Sequence, residues 1–164
     1  MFFIIRSAPH GTQIQINMFA RVVFCIALVV LALAVSVSEA KVYGQCEVAQ
    51  ALRKWGVPES QVATWVCIAH AESNFDTNAV NTNTWDYGIF QISSIYWCES
   101  GDSPGKGCGI SCNSLLQDDI TEDITCIEHV YEETEKIGQI PGFKAWTTYA
   151  GKCDGDNSAW IAGC

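Results

Sequence analysis

The rhythm of apolar and polar positions changes several times along this chain, and each change predicts a different element. Val22 to Val35 is an unbroken apolar run of 14 residues. Arg21 precedes it and Ser38-Glu39-Ala40 follows. A basic start, a short apolar run and small residues before the cut describe a secretory signal peptide cleaved after Ala40. A spanning helix needs about 20 apolar residues, so a membrane anchor is not expected. Met18 is a more ordinary start for such a leader than Met1. Residues 1–40 are therefore set aside, and 41–164 are read as one mature domain.

Within that domain, Cys46 to Trp55 is helical in composition, with Gly56 as its stop. Pro58-Glu59-Ser60 opens a second helix that runs to about Ser73. Its apolar positions Val62, Trp65, Val66 and Ala69 recur at helical spacing. The texture then turns polar, and Asn74, Asp76, Asn78, Asn81 and Asn83 mark turns. Thr84 to Ile92 reads as strand, rich in aromatic and β-branched residues. Residues 99–113 form a Gly-, Ser- and Pro-containing loop with too little apolar content to pack, so disulfides must hold it. Helix returns at Asp119, where Asp119-Ile120-Thr121-Glu122 fits a capping box. Ile120, Ile124, Ile127 and Val130 are its buried stripe, and Gly138 ends it. A short helix after Pro141 carries Phe143, Trp146 and Tyr149. This order predicts an α+β fold: a helical lobe made from both chain ends, with a small β lobe inserted. A cleft between the lobes is the default ligand site.

Composition narrows the class. Hydrophobic residues make up 49% and charged residues 16% of the 164, which supports a packed core and excludes a disordered chain. Of nine cysteines, Cys25 falls in the leader. The other eight are Cys46, Cys67, Cys98, Cys108, Cys112, Cys126, Cys153 and Cys164. In a secreted chain they imply four bridges, but spacing alone leaves about a hundred pairings open. Losing Arg6, Arg21 and Glu39 leaves 7 of 9 basic and 17 of 18 acidic side chains, a net charge of −10. That balance argues against nucleic acid and anionic membranes as partners. It also argues against membrane disruption, which needs a cationic face. No Asn-x-Ser/Thr sequon is present, so N-glycosylation is not expected.

Two acids stand where chemistry is plausible. Glu72 closes an apolar helix, and Asp86 sits in a strand between Trp85 and Tyr87. Carboxyls in such unlike surroundings can divide into a general acid and an ionised carboxylate. Nearby Asn, Gln and Trp suit a carbohydrate, with amides for hydroxyls and indole faces for the apolar faces of sugars. The plainer alternative is a helix-end Glu and a surface Asp.

The mature chain resembles the c-type lysozymes, the family that includes α-lactalbumin, and more closely their insect members. The resemblance covers nearly all of 41–164. It rests on Lys41-Val42-Tyr43-Gly44-Gln45-Cys46-Glu47, Ala71-Glu72-Ser73-Asn74-Phe75, Asn81-Thr82-Asn83-Thr84, Asp86-Tyr87-Gly88-Ile89-Phe90-Gln91-Ile92, Trp97-Cys98, Asp119-Ile120-Thr121, Ala145-Trp146 and Ala159-Trp160-Ile161. It implies a lysozyme-like fold with four disulfides: Cys46–Cys164, Cys67–Cys153, Cys98–Cys112 and Cys108–Cys126. It also implies a retaining glycoside hydrolase that cuts the β-1,4 bond between N-acetylmuramate and N-acetylglucosamine in peptidoglycan. Glu72 takes the place of the general acid and Asp86 that of the nucleophile or stabiliser. Trp146 matches the indole that packs on the acid. Asn83, Gln91, Tyr96, Trp97 and Ala145 match positions that hold sugar rings. No cofactor or metal is expected, and the product is expected to be a secreted monomer. The alternative within the family is a non-catalytic, α-lactalbumin-like binding protein, which the presence of both acids disfavours.

Departures from the family pattern set further expectations. Ser93 stands where many relatives have an Asn that orients the second carboxylate, so its hydroxyl is the candidate substitute. The stretch between Glu72 and Asp86 is shortened, which makes Asn83 the least secure of the cleft positions. Gln117 to Asp123 resembles a calcium loop, but Gln117 stands at an acidic ligand position and Glu122 replaces Asp. These acids are read instead as helix N-terminal charges favoured by the macrodipole. His70-Ala71-Glu72 has the spacing of a zinc deaminase, yet Cys108 and Cys112 lack the matching P-C-x-x-C. His129 is read as a solvated helix residue, and Glu128, Glu132, Glu133 and Glu135 as a solubilising face. The negative surface points to a digestive or other acidic compartment.

Overall fold

The computed structural model describes Arg21, Val23, Phe24, residues 41–138 and residues 140–164. Apart from the first three, the expected leader lies outside the described residues. Two compact units divide the chain, Met1–Val37 and Ser38–Cys164, and the second carries everything below.

Helix α1 spans Gln45–Lys54. Its first turn is closed by Glu47, whose Oε2 accepts the Gly44 amide at 2.7 Å. Val48, Ala49 and Leu52 are fully buried. Gly56 follows at φ +87°, a left-handed stop that favours glycine. Helix α2 spans Glu59–Ser73, and Val62, Trp65, Val66 and Ala69 are all fully buried as their spacing predicts. It ends on two successive left-handed residues, Asn74 (φ 54°) and Phe75 (φ 68°). Ser73 ties this end to the β lobe, its hydroxyl bonding Ala69 O at 3.0 Å and Ile89 O at 2.8 Å.

The single strand expected over Thr84–Ile92 is broken. Three short strands, β1 (Val80–Asn81), β2 (Asp86–Tyr87) and β3 (Ile92–Ser93), form an antiparallel sheet in sequence order. Asp86 lies opposite both Asn81 and Ser93. The breaks fall at left-handed residues: Trp85 (φ 59°), Gly88 (φ 77°) and Gln91 (φ 50°). Gly88 has a second reason to be glycine, since a Cβ there would lie 2.5 Å from Leu115 O. The Gln91 amide pins the turn by donating to Ala79 O at 3.1 Å and Gly88 O at 2.9 Å. Strands β4 (Cys98–Glu99) and β5 (Ile110–Ser111) pair parallel, so the β lobe is antiparallel only in its main sheet.

Helix α3 spans Thr121–Gly138, starting two residues later than its sequence suggests. Asp119 Oδ1 takes the Thr121 amide at 3.0 Å and its hydroxyl at 2.5 Å, which displaces the expected box with Glu122. Ile120, Ile124, Ile127 and Val130 are buried as the stripe requires. Asp123 is not a solvated helix-end charge: it is fully buried, and burial pushes its carboxyl well above the usual aspartate range. Among the described residues no three His, Cys, Asp or Glu are grouped as a metal would need. After α3 come short 3₁₀ turns at Gly142–Ala145 and Ser158–Ile161 around a π turn at Tyr149–Cys153.

Four disulfides join Cys46–Cys164, Cys67–Cys153, Cys98–Cys112 and Cys108–Cys126. The last two bracket the loop that lacks a core of its own. Trp65 is fully buried in the core of the second unit. Its ring centroid is 4.8 Å from Phe143, 4.9 Å from Trp146, and 6.0 Å from both Phe90 and Tyr131, each in an edge-on geometry. This cluster joins α2, α3, the C-terminal turns and the β2–β3 turn in one core.

Candidate active site

Glu72 is the next-to-last residue of α2 and is half-buried. Asp86 opens β2, also half-buried. Both line a cleft of about 170 Å³ with Gln91, Ser93, Trp97, Ala145 and Trp146. Ile92, Val130 and Thr147 complete the lining. Asn83 and Tyr96 do not line it. Asn83 is exposed in the β1–β2 turn, its amide donating to Asn81 Oδ1 at 3.1 Å. Tyr96 points to solvent, 66% exposed.

The two acids are held by threonines. Thr148 donates its hydroxyl to Glu72 Oε1 at 2.5 Å, and Thr84 donates to Asp86 Oδ2 at 2.5 Å. Ser93 does not take that part. Its hydroxyl accepts the Ile95 amide at 3.3 Å, although its backbone lies directly opposite Asp86. The hydroxyl that holds Asp86 thus comes from the turn that precedes it, not from the neighbouring strand. Thr84 could have been found from its place two residues before an Asp in a turn-rich stretch. Thr148 carries no such local signal, because it reaches Glu72 across 76 positions of sequence.

Burial raises the Glu72 carboxyl above the ordinary glutamate range. The Thr148 hydroxyl opposes this most, Asp86's negative charge adds to it, and Lys152 opposes it weakly. Desolvation disfavours the charged form, so Glu72 keeps a proton to higher pH than a solvated glutamate. Trp146 is 7% exposed, and its indole N–H donates to Phe90 O at 2.8 Å. That bond fixes an apolar wall of the cleft in one orientation. A carboxyl that keeps its proton above the ordinary glutamate range, a second carboxyl group and indole walls are together equipped for acid-assisted cleavage of a sugar acetal.

The C-type lysozyme/alpha-lactalbumin family model matches residues 41–164. The chain belongs to this family. It is 38% identical to "Lysozyme c-1" of Anopheles gambiae over 145 residues, which cover 87% of this chain and 98% of that protein. It is 43% identical to "Lysozyme C-3" of Sus scrofa over 149 residues, covering 85% and 96%. It is 41% identical to "Lysozyme C" of Scophthalmus maximus over 148 residues, covering 85% and 97%. The relatives are lysozymes, so glycoside hydrolysis of lysozyme type is the activity that membership carries.

Thr148→Val keeps the shape and removes the hydroxyl that favours the Glu72 carboxylate. The expected result is an alkaline limb of kcat/KM displaced to higher pH, with severalfold more activity on that flank. Thr148→Ser should keep the wild-type limb. Hydrolysis of a neutral chitin oligomer across pH checks this. An unmoved limb in Thr148→Val removes the hydroxyl from the account of Glu72's proton affinity.

Proposed function

We propose that this chain is a secreted, monomeric lysozyme, freed from its leader after Ala40, that hydrolyses the β-1,4 bond between N-acetylmuramate and N-acetylglucosamine in peptidoglycan. The observation that carries this reading is Glu72, its carboxyl held above the ordinary range, lining one cleft with Asp86 and two indoles. Glu72 protonates the glycosidic oxygen as the bond from the anomeric carbon breaks. Asp86 stabilises the developing positive charge or captures that carbon. Water, giving its proton to Glu72, then releases the sugar with retained configuration; lysozyme is itself the type case of this reaction. Gln91, Trp97, Ala145 and Trp146 hold the sugar rings. Asn83 and Tyr96 lie outside the cleft lining and take no part in this reading. No cofactor enters any step. The α-lactalbumin-like alternative is disfavoured because both acids are retained and share the cleft.

The net charge extends the proposal. Bacterial walls are anionic, so a chain at −10 after leader removal is repelled from them at neutral pH. The repulsion fades as pH falls, which fits a digestive or other acidic compartment. Lysis of whole cells and hydrolysis of a small neutral chitin oligomer should therefore respond differently to salt. With screening over about 10 Å at 0.1 M salt, modest salt should speed lysis at neutral pH and leave the oligomer rate nearly unchanged. The optimum for lysis should lie on the acid side of neutrality. A steady fall in lysis from the lowest salt, or a neutral or alkaline optimum, overturns the acidic-compartment assignment. Failure to cut either substrate overturns the glycosidase itself.

A further inference from the structure

The indole of Trp97 forms part of the cleft wall, on the segment that joins β3 to β4, half-buried and packed against the core. One further contact comes from the loop between β4 and β5: a Cβ on Gly107 would lie 2.5 Å from Trp97 Cε3 and 2.9 Å from Cζ3, so the ring sits directly against the Gly107 backbone. Two backbone bonds keep these segments together, Gly107 N to Tyr96 O at 3.0 Å and Cys108 N to Trp97 O at 2.9 Å. The other contact comes from α3. His129 is half-buried, not solvated, and its ring meets Trp97 at 6.0 Å between centroids and 86° between planes. Val130, the next residue of α3, lines the cleft itself. Gly107 and His129 also border a separate hollow of about 300 Å³, so open space lies beside the two contacts that hold the indole.

We propose that His129 is a positioning residue for sugar binding: its ring fixes the plane of the Trp97 indole from the helical lobe, so that the indole presents its face to a pyranose in the cleft. This rests on the carbohydrate cleft described above. An edge-on aromatic contact restrains a ring in both tilt and position. An indole free to tilt loses stacking area on a sugar without disturbing the acids. The consequence is specific to binding. Glu72 and Asp86 take their hydrogen bonds from Thr148 and Thr84, not from His129, so its loss weakens the hold on substrate and leaves the bond-breaking step alone.

The test uses the mature protein with a neutral N-acetylglucosamine oligomer, reading hydrolysis kinetically and binding by calorimetry. His129→Ala should raise KM and Kd about threefold to tenfold, with kcat within about twofold. His129→Phe, which keeps an aromatic edge, should restore both. In a Trp97→Ala background, His129→Ala should change nothing further, because the ring it positions is gone. An unchanged Kd in His129→Ala, or the same loss with and without Trp97, overturns the assignment. If the wild type binds the oligomer without cutting it, the glycosidase reading fails while the binding comparison still decides the role of His129. A wild type that neither binds nor cuts overturns both.

Discussion

Glu72→Gln is expected to lower cell-wall lysis and oligomer hydrolysis by about 10²- to 10⁴-fold at the wild-type optimum, with the fold and oligomer binding kept. The amide has the size of the acid and can still accept from Thr148, which sits 2.5 Å from Oε1. Only the transferable proton is lost. Purified variant that clears walls within about tenfold of wild type overturns the assignment of Glu72 as general acid. The same substitution has a stability signature of defined sign. Burial raises the Glu72 carboxyl in the folded state. The stability linked to its proton is fully present below the usual glutamate value, about 4.3. It is lost as pH climbs through the raised value. Glutamine does not titrate, so Glu72→Gln should gain in Tm relative to wild type as pH rises over that span. Below it the difference should be constant.

Loss of the Cys46–Cys164 bridge is the largest structural effect expected. The two cysteines are 118 positions apart, and closing so long a loop restricts the unfolded chain by about 5 kcal/mol in the chain-entropy treatment. Cys98–Cys112 spans only 14, for which the same treatment gives about 3 kcal/mol. Total stability of such domains is about 5–15 kcal/mol. The Cys46→Ala/Cys164→Ala variant should therefore melt far below wild type, and below Cys98→Ala/Cys112→Ala. Thermal unfolding of the two double variants under non-reducing conditions gives the order. The reverse order would mean that local packing around the loop, not chain entropy, sets the worth of each bridge. Peptide mapping of the wild type should join the peptides of Cys46 and Cys164 and find no free thiol in 41–164.

The helices were legible in the sequence because burial imposes a period on them. The stripes of α2 and α3 read directly from Val62, Trp65, Val66 and Ala69, and from Ile120 to Val130. The β lobe was legible in composition but not in shape. Nothing in the identity of Trp85 or Gln91 announces a left-handed backbone, yet those residues with Gly88 cut one apparent strand into two. Their conformation follows from contacts with Ala79, Leu115 and neighbouring carbonyls that only the folded chain brings near. The same distinction divides the site. Glu72 and Asp86 stand out by residue type and setting. The hydroxyls that hold them do not, since Thr148 arrives from the far end of the domain and Ser93, the obvious candidate, spends its oxygen on Ile95. His129 shows the remaining limit. On a helical wheel it is a polar residue beside a buried stripe, and its partner Trp97 lies in a loop whose path no periodicity describes.

The bond from the Trp146 indole to Phe90 O has a meaning in time as well as in space. Both residues are buried, and the bond runs from the C-terminal turns to the base of the β lobe. Exchange of that indole proton with solvent requires an opening that breaks this bond and lets water reach it between the C-terminal turns and the β lobe. The proton is thus a slow clock for the parting of these two segments. Substrate held against Trp146 in the cleft would slow it further, and the rate at which it ticks sets a floor on how often this contact opens.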